Sequence, residues 1–272
     1  MTKKTAGVVQ NKYHYAIGEY SGFVHVADEK NSELKYIDFG VLKLKKGEKW
    51  SDKLSGKEVV LVVLSGTCSV KSSEGEFKNI GKRKSVFEGK AAALYLPLNA
   101  EYTVYAELDV EVAVCKAPAE RKTAAKLINP EDVKQKVVGK NNWTRDVYDI
   151  VDSTLDADRI VVGETVNRPG NWSSYPPHKH DIDNLPVESK LEELYFFKLN
   201  PIDGFGFQRI YTSDGEIDEA YTLKNNDVAA IPKGYHPVAV AGGYSIYYLW
   251  ILSGKKRQLA PNDDPKHAWV KK

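Results

Sequence analysis

The sequence has few cysteines, no long apolar run and almost no net charge. It contains only two cysteines, Cys68 and Cys115, among 272 residues, which is too few for a disulfide scaffold or a four-cysteine zinc site. No hydrophobic stretch reaches the roughly 18 residues that cross a bilayer. Lysine and arginine total 39 against 37 acidic residues, a net charge of +2, which argues against nucleic acid or anionic membrane as partners. We therefore expect a cytoplasmic protein with reduced cysteines.

Strand-forming segments, in contrast, are abundant. Short runs rich in β-branched and aromatic residues, such as EVVLVVL, ELYFFKL and YSIYYLWIL, recur between turn residues, and this spacing predicts an all-β sandwich or barrel. One short helix is predicted in INPEDVKQKVVGK, because Asn129 can cap it, Pro130 suits its first position and Gly139 its end. The helix lies in a lysine-rich stretch that we interpret as a linker.

The two halves of the chain resemble a worn internal repeat. Glu58 precedes an apolar strand in the first half and Glu193 precedes one in the second. Each strand is followed, some thirty to forty residues later, by a Pro-x-Asn or Pro-x-Gly turn. We therefore predict a degenerate N-terminal barrel at residues 1–120, a linker with the short helix at 121–150, and a metal-binding barrel at 151–272.

The second half carries residues with the chemistry of a metal site. His178 and His180 stand two apart in YPPHKHD, so on a strand both imidazoles point to the same face. Glu192 and Glu193 follow ahead of an apolar strand, and His236 follows a Pro-Gly turn. Three imidazoles and one carboxylate suit Zn²⁺, Fe²⁺, Mn²⁺ or Ni²⁺ and leave positions open for substrate.

The choice of carboxylate is open from the residues alone. Strand alternation lets only one of Glu192 and Glu193 face the interior, and we prefer Glu193. Glu188 is a third candidate, although it precedes the strand. The ordered set His-x-His, Glu and Pro-x-Gly-x-His is the signature of a cupin barrel, in which two strand-borne motifs converge inside a small β-barrel.

Longer strings make the resemblance more specific. NWSSYPPHKHD, LEELYFF, GFGFQRIYT, PKGYHPVAV and DDPKHAW resemble the 5-deoxy-glucuronate isomerase family of inositol catabolism, whose relatives include 4-deoxy-5-keto-uronate isomerases. The resemblance implies a bicupin: two small antiparallel β-barrels of jelly-roll type, with one divalent metal per chain at His178, His180, Glu193 and His236. It also implies an aldose–ketose isomerisation of 5-deoxy-D-glucuronate to 2-deoxy-5-keto-D-gluconate.

That reaction asks for a metal, a base and a cation for the far carboxylate. For the carboxylate we name Arg209 first and Arg168 next, with Lys179 and Lys233 behind them. Tyr235 and Lys179 are candidates for the catalytic site, and the base stays open among these two, a hydroxide at the metal, and the residues Tyr175 and Asp181. The partner expected is a small uronate-like sugar, and the aromatic-rich strands would suit a homo-oligomeric interface.

Two departures from the family pattern bear on the substrate. The family strand after the glutamates usually carries His where this chain has Phe197, and the late strand carries Asn where it has Trp250. If these positions contact substrate, a different uronate-like sugar is expected. The alternative functions are another metal-dependent cupin enzyme, such as a related uronate isomerase or an Fe-dependent dioxygenase, and a non-enzymatic sugar-binding cupin.

Overall fold

The prediction of an all-β protein is confirmed by the computed structural model, which describes residues 3–5 and 7–272. The first thirteen strands are β1 Lys3–Thr5, β2 Val8–Asn11, β3 His14–Ala16, β4 Gly22–Ala27, β5 Asp38–Leu44, β6 Lys49–Lys53, β7 Lys57–Ser65, β8 Cys68–Ser72, β9 Gly75–Ile80, β10 Ala92–Leu96, β11 Glu101–Ala106, β12 Val110–Pro118 and β13 Lys126–Ile128. The later strands are β14 Lys134–Val138, β15 Arg145–Val151, β16 Val161–Asn167, β17 Trp172–Ser173, β18 His178–Lys179, β19 Glu192–Asn200, β20 Gly206–Tyr211, β21 Asp218–Leu223, β22 Asp227–Ile231, β23 Val238–Val240, β24 Ser245–Ser253 and β25 Asn262–Asp263. Two short 3₁₀ helices, Asn141–Trp143 and Ala268–Lys271, complete the described elements.

Four larger sheets enclose three apolar cores. A six-stranded sheet (β13-β10-β7-β12-β5-β4) and a four-stranded sheet (β6-β11-β8-β9) share one core. A nine-stranded sheet (β1-β2-β3-β22-β19-β24-β16-β15-β14) and a second four-stranded sheet (β17-β23-β20-β21) share another. The third core lies between the six- and nine-stranded sheets, so the two halves of the protein pack face to face through their larger sheets.

The central strands are apolar on both faces because each large sheet lies between two cores. In β19, Leu194 and Phe196 pack in the core between the halves, whereas Tyr195 and Phe197 pack inside the second half. Successive strand residues point to opposite faces, so burial on both sides accounts for the unbroken apolar runs in the sequence. The same alternation decides which side chains enter the interior of each half.

Strands near the predicted domain boundaries pair across the halves. β3 pairs with β22, so residues 14–16 extend the nine-stranded sheet of the second half. β13 pairs with β10 of the first half, whereas β14 pairs with β15 of the second. The division at residues 120 and 150 stays a prediction. The pairings show that the N-terminal strand β3 belongs to the sheet of the second half, and that the predicted linker contributes one strand to each half.

The predicted helix in the linker is wrong. Residues 129–133 form a single turn in which Asp132 Oδ2 accepts the backbone N–H of Asn129 at 2.9 Å. Lys134–Val138 then form strand β14 instead of a helix. This segment pairs with the edge of β15 and gains a ladder of backbone hydrogen bonds. A helix here would have no apolar face to bury, since Val137 is exposed, so the capping residues alone do not stabilise one.

Two glutamates connect the halves in a mirrored way. Glu58 accepts the backbone N–H groups of residues 158–160 at 2.7–2.8 Å, and Glu192 accepts those of residues 35–36 at 2.7 and 2.8 Å. Each glutamate thus lies at the start of a central strand of one half, and its carboxylate accepts hydrogen bonds from the backbone of the other half. Glu58 therefore corresponds to Glu192, which corrects the repeat alignment that matched it with Glu193.

Two expectations about the chain are tested directly. Cys68 and Cys115 are both free and buried, as predicted, and burial raises the pKa of the Cys115 thiol well above its ordinary value. Among the described residues, no helix combines the length and the apolar character that a membrane crossing requires.

Candidate metal centre and active site

Three separate segments bring the predicted metal ligands to the interior of the second half. β18 places His178, which pairs with Asp263 of β25, and His180 follows one residue after that strand. Glu193 is the second residue of β19, on the interior face. His236 lies in the connection between β22 and β23. Glu193 therefore faces the histidines, whereas Glu192 faces the other half of the protein.

The side chains of three of these residues meet closely. Glu193 Oε2 lies 3.0 Å from His180 Nε2 and 3.0 Å from His236 Nε2. One ligand atom from each of the three residues lies within 4.8 Å of the others. The ring of His178 stands 4.9 Å from that of His236, centroid to centroid, so it borders the same space.

The outer nitrogens of the two closest imidazoles fix their tautomers. His180 Nδ1 lies 2.7 Å from the carbonyl oxygen of Leu191, and His236 Nδ1 lies 2.8 Å from that of Gly234. A carbonyl only accepts, so each Nδ1 carries a proton and each ring turns its Nε2 toward Glu193, where an Nε2 without a proton offers its lone pair to a metal. Metal-binding histidines typically donate their other ring N–H to a backbone carbonyl in this way.

Lone pairs facing a carboxylate repel it unless a cation lies between them. His236 Nε2 is buried without a hydrogen-bond partner in the described part of the chain, although it is close to Glu193. The anionic carboxylate with convergent imidazoles therefore fits a divalent cation.

His178 is held in its neutral form. Burial lowers its pKa well below the ordinary value, and the neighbouring rings of His236 and His180 lower it further. A neutral imidazole is the form that ligates a metal. The charge state of His178 thus agrees with its predicted role as a ligand.

A cavity of about 190 Å³ opens onto His178, His180 and Glu193. It is smaller than the roughly 300–1,000 Å³ typical of drug-sized ligand sites, which suits a small polar molecule. Tyr195 and Trp250 are among the aromatic side chains of its wall. Burial raises the pKa of Tyr195 well above its ordinary value, so its hydroxyl, 2.9 Å from Ser174 Oγ, stays protonated.

Comparison with known proteins identifies the family. The model of the KduI/IolB family matches residues 12–270. The chain belongs to the KduI/IolB family. Proteins named 5-deoxy-glucuronate isomerase are similar to it: that of Bacillus licheniformis is 43% identical over 91% of this chain and 92% of the relative, and that of Geobacillus kaustophilus is 44% identical over 87% and 86%. The prediction of an enzyme of the isomerase class is confirmed by this membership.

Solved structures agree on the fold. The crystal structure of an IolB-like protein from Salmonella typhimurium is 37% identical, with a TM-score of 0.93 over 96% of this chain and all of that one. An oxalate decarboxylase from Lactobacillus farciminis has a TM-score of 0.64 at 12% identity, covering 95% of this chain and 86% of the other. The cupin fold class inferred from the His and Glu motifs is confirmed.

Arg209 does not reach the cluster, contrary to its predicted role. It lies on β20 with its side chain exposed, and its guanidinium binds Asp218 through Nε at 2.7 Å and Nη2 at 2.9 Å. It also stacks over Tyr211, 4.1 Å from the ring centroid. Neighbouring positions of a strand face opposite ways, so Arg209 points outward while Gln208 points inward.

Lys179 and Tyr235 are also directed away from the cluster. Lys179 alternates with the two histidines, and its ammonium binds both carboxylate oxygens of Glu188 at 2.6 and 2.8 Å. Tyr235 precedes His236 and so faces the other side, where its ring packs 5.1 Å from that of Tyr211. Both positions indicate structural roles, and the third carboxylate candidate, Glu188, is accounted for by its lysine.

Two interior polar residues were not predicted from the sequence. Gln208 is 1% exposed, and neither amide atom has a hydrogen-bond partner among the described residues. Arg145 lies on β15 and lines the cavity with the histidines. Strand alternation in GFQRIY could have indicated Gln208, whereas Arg145 lay in a segment interpreted as linker.

The two departures from the family pattern have different positions. Phe197 is fully buried and packs 5.8 Å from the ring of Tyr248, inside the apolar core. Trp250 lines the cavity and packs against Gly163, where a Cβ atom would come within 2.0 Å of the indole. Of the two, only the tryptophan forms part of the cavity wall.

Proposed function

We propose that the chain is a metal-dependent aldose–ketose isomerase that converts 5-deoxy-D-glucuronate to 2-deoxy-5-keto-D-gluconate in myo-inositol catabolism. The observation that carries the proposal is the pair of Nε2 atoms, each 3.0 Å from Glu193 Oε2, with both Nδ1 atoms engaged by backbone carbonyls. The names of the relatives support the substrate.

We assign one divalent ion per chain to His178, His180, Glu193 and His236. A cation held there would act as a Lewis acid on a carbonyl and a neighbouring hydroxyl. The first half supports the count of one, because its interior core is built from apolar residues such as Val59. No second metal-ligating group occurs among residues 3–5 and 7–272.

The chain's own side chains would position the sugar and shield it. The protonated hydroxyl of Tyr195, anchored to Ser174, can donate to a sugar oxygen but cannot accept a proton as a base. Trp250 and Tyr248 line the cavity with apolar surface, which would limit the contact of water with the carbon that exchanges its proton. The isomerisation moves that proton between adjacent carbons and needs no oxidant.

A proton NMR time course with 5-deoxy-D-glucuronate tests the proposal. Purified protein should form the 5-keto product with or without O₂, and prior EDTA treatment should abolish the conversion. Glu193→Gln should lose both metal and activity. Its matched control is Glu192→Gln, one residue away but facing the other half, which should keep its metal. Folded, metal-loaded protein that leaves the substrate unchanged would refute the proposed reaction.

A further inference from the structure

Among the described residues, the cavity beside the histidines is lined by one positively charged side chain that no carboxylate neutralises. Arg145 lines it, and within the described ranges no carboxylate oxygen lies within 4.0 Å of its guanidinium. The other cations of this region are paired: Lys136 with Asp149 at 2.9 Å, and Arg168 with Asp146 at 3.7 Å. Unlike these two neighbours, Arg145 therefore keeps an uncompensated positive charge.

Backbone carbonyls hold the guanidinium in place without neutralising it. Its Nη1 donates to the carbonyl oxygens of Trp143 and Tyr175, both at 3.2 Å. Tyr175 precedes His178 by three residues, so the arginine is tied to the segment that delivers the histidines. The described residues offer no hydrogen-bond partner to Nε or Nη2, which leaves N–H donors for a planar anion.

A half-buried cation without an anionic partner is costly, and the burial lowers the pKa of Arg145. Such a group is tolerated where a ligand supplies the opposite charge. We propose that Arg145 binds the carboxylate of the substrate, which makes a sugar acid the preferred class over a neutral sugar. This inference rests on the proposed function, because it places the acid end of the sugar opposite the end that faces the histidines.

Binding of two probes tests the inference apart from catalysis. D-Glucuronate and D-glucose differ at carbon 6, which is a carboxylate in one and a hydroxymethyl group in the other. Calorimetric titration of the metal-loaded protein should show D-glucuronate binding about 10- to 100-fold more tightly, the range expected for a charge-assisted hydrogen bond. Arg145→Gln should remove this preference while metal content is kept, and Arg145→Lys should retain part of it.

Two further arginine variants serve as comparisons. Arg121 is exposed and paired with Asp156 at 2.7 Å, so Arg121→Gln should leave the preference unchanged. Arg209→Gln tests the alternative that Arg209 binds the carboxylate. If Arg209→Gln lost the preference for D-glucuronate and Arg145→Gln kept it, the inference would be overturned. Equal binding of both sugars by the unmodified protein would overturn it as well.

A measurement on the unmodified chain guards against a variant that does not fold. Phenylglyoxal modifies accessible arginines, and peptide mass spectrometry reports each one separately. D-Glucuronate should slow modification of Arg145 several-fold, whereas D-glucose should not; equal rates would count against the proposal. If carboxylate preference depends on Arg145 but 5-deoxy-D-glucuronate is not isomerised, the inference stands and the proposed reaction fails.

Discussion

The buried ion pair between the halves gives the sharpest stability prediction. Arg83 of the first half and Glu164 of β16 meet in a bidentate contact, with Nη1–Oε2 at 3.0 Å and Nη2–Oε1 at 2.5 Å. Their side chains are 4% and 2% exposed. Tyr247 also donates its hydroxyl to Glu164 at 2.7 Å. Replacing Glu164 with Gln keeps the shape and the tyrosine bond but leaves the guanidinium buried and unpaired.

The expected loss follows from that isolation. Burial disfavours the charge of Arg83, and Glu164 is the group that outweighs burial and raises its pKa. Breaking one side of a buried pair costs about 3–5 kcal/mol, because the remaining charge stays buried without its anionic partner. With roughly 2–4 °C of melting temperature per kcal/mol for a domain of this size, Glu164→Gln should melt about 6–20 °C lower.

Thermal and urea unfolding, followed by circular dichroism, would measure the loss. The double variant Arg83→Met/Glu164→Leu removes both charges and should lose less than Glu164→Gln alone, since an apolar pair leaves no buried charge. A loss below about 1 kcal/mol for Glu164→Gln would refute the reasoning, because that is the range of solvent-screened pairs. It would mean that water reaches the contact between the halves.

Three further predictions concern the site and the pH response. His180→Ala should lose the metal and the activity while the fold survives. Elemental analysis should show one metal per wild-type chain. Two metals per wild-type chain, or full metal retention in the variant, would contradict the site. Trp250→Asn should enlarge the cavity, raise KM and lower stability by about 3 kcal/mol; an unchanged KM would remove the tryptophan from the substrate site. Although burial opposes it, hydrogen bonds from His25 and Lys57 lower the pKa of Asp38 from 3.8 to about 2. Above pH 4, Asp38 should therefore contribute about 2 kcal/mol to the free energy of unfolding, and this contribution is lost as pH falls toward 2. In urea unfolding, Asp38→Asn should be less stable than wild type at pH 6, and the two should converge near pH 2.

Strand patterns and motif spacing were sufficient for much of the fold. The alternation of apolar and polar positions is local, so the β class followed from the order of residues, as did the expectation that only one of Glu192 and Glu193 faces the interior. His178, His180 and His236 could be grouped because their spacing matches a motif in which short strands converge. The helix at residues 129–139 failed because capping signals are also local, whereas the free edge of β15 that captured this segment is not.

By itself the sequence determined the class of fold, the family and the residues available to hold a metal. Only the tertiary structure decided which polar groups share the cavity. Arg209 was a reasonable anion binder until Asp218, nine residues later, neutralised it on the outer face. Arg145 became the candidate because β15 joins the second half and brings its guanidinium to the cavity, where no carboxylate of the described residues pairs with it. Charge compensation depends on neighbours brought together by folding, and such neighbours cannot be inferred from the spacing along the chain.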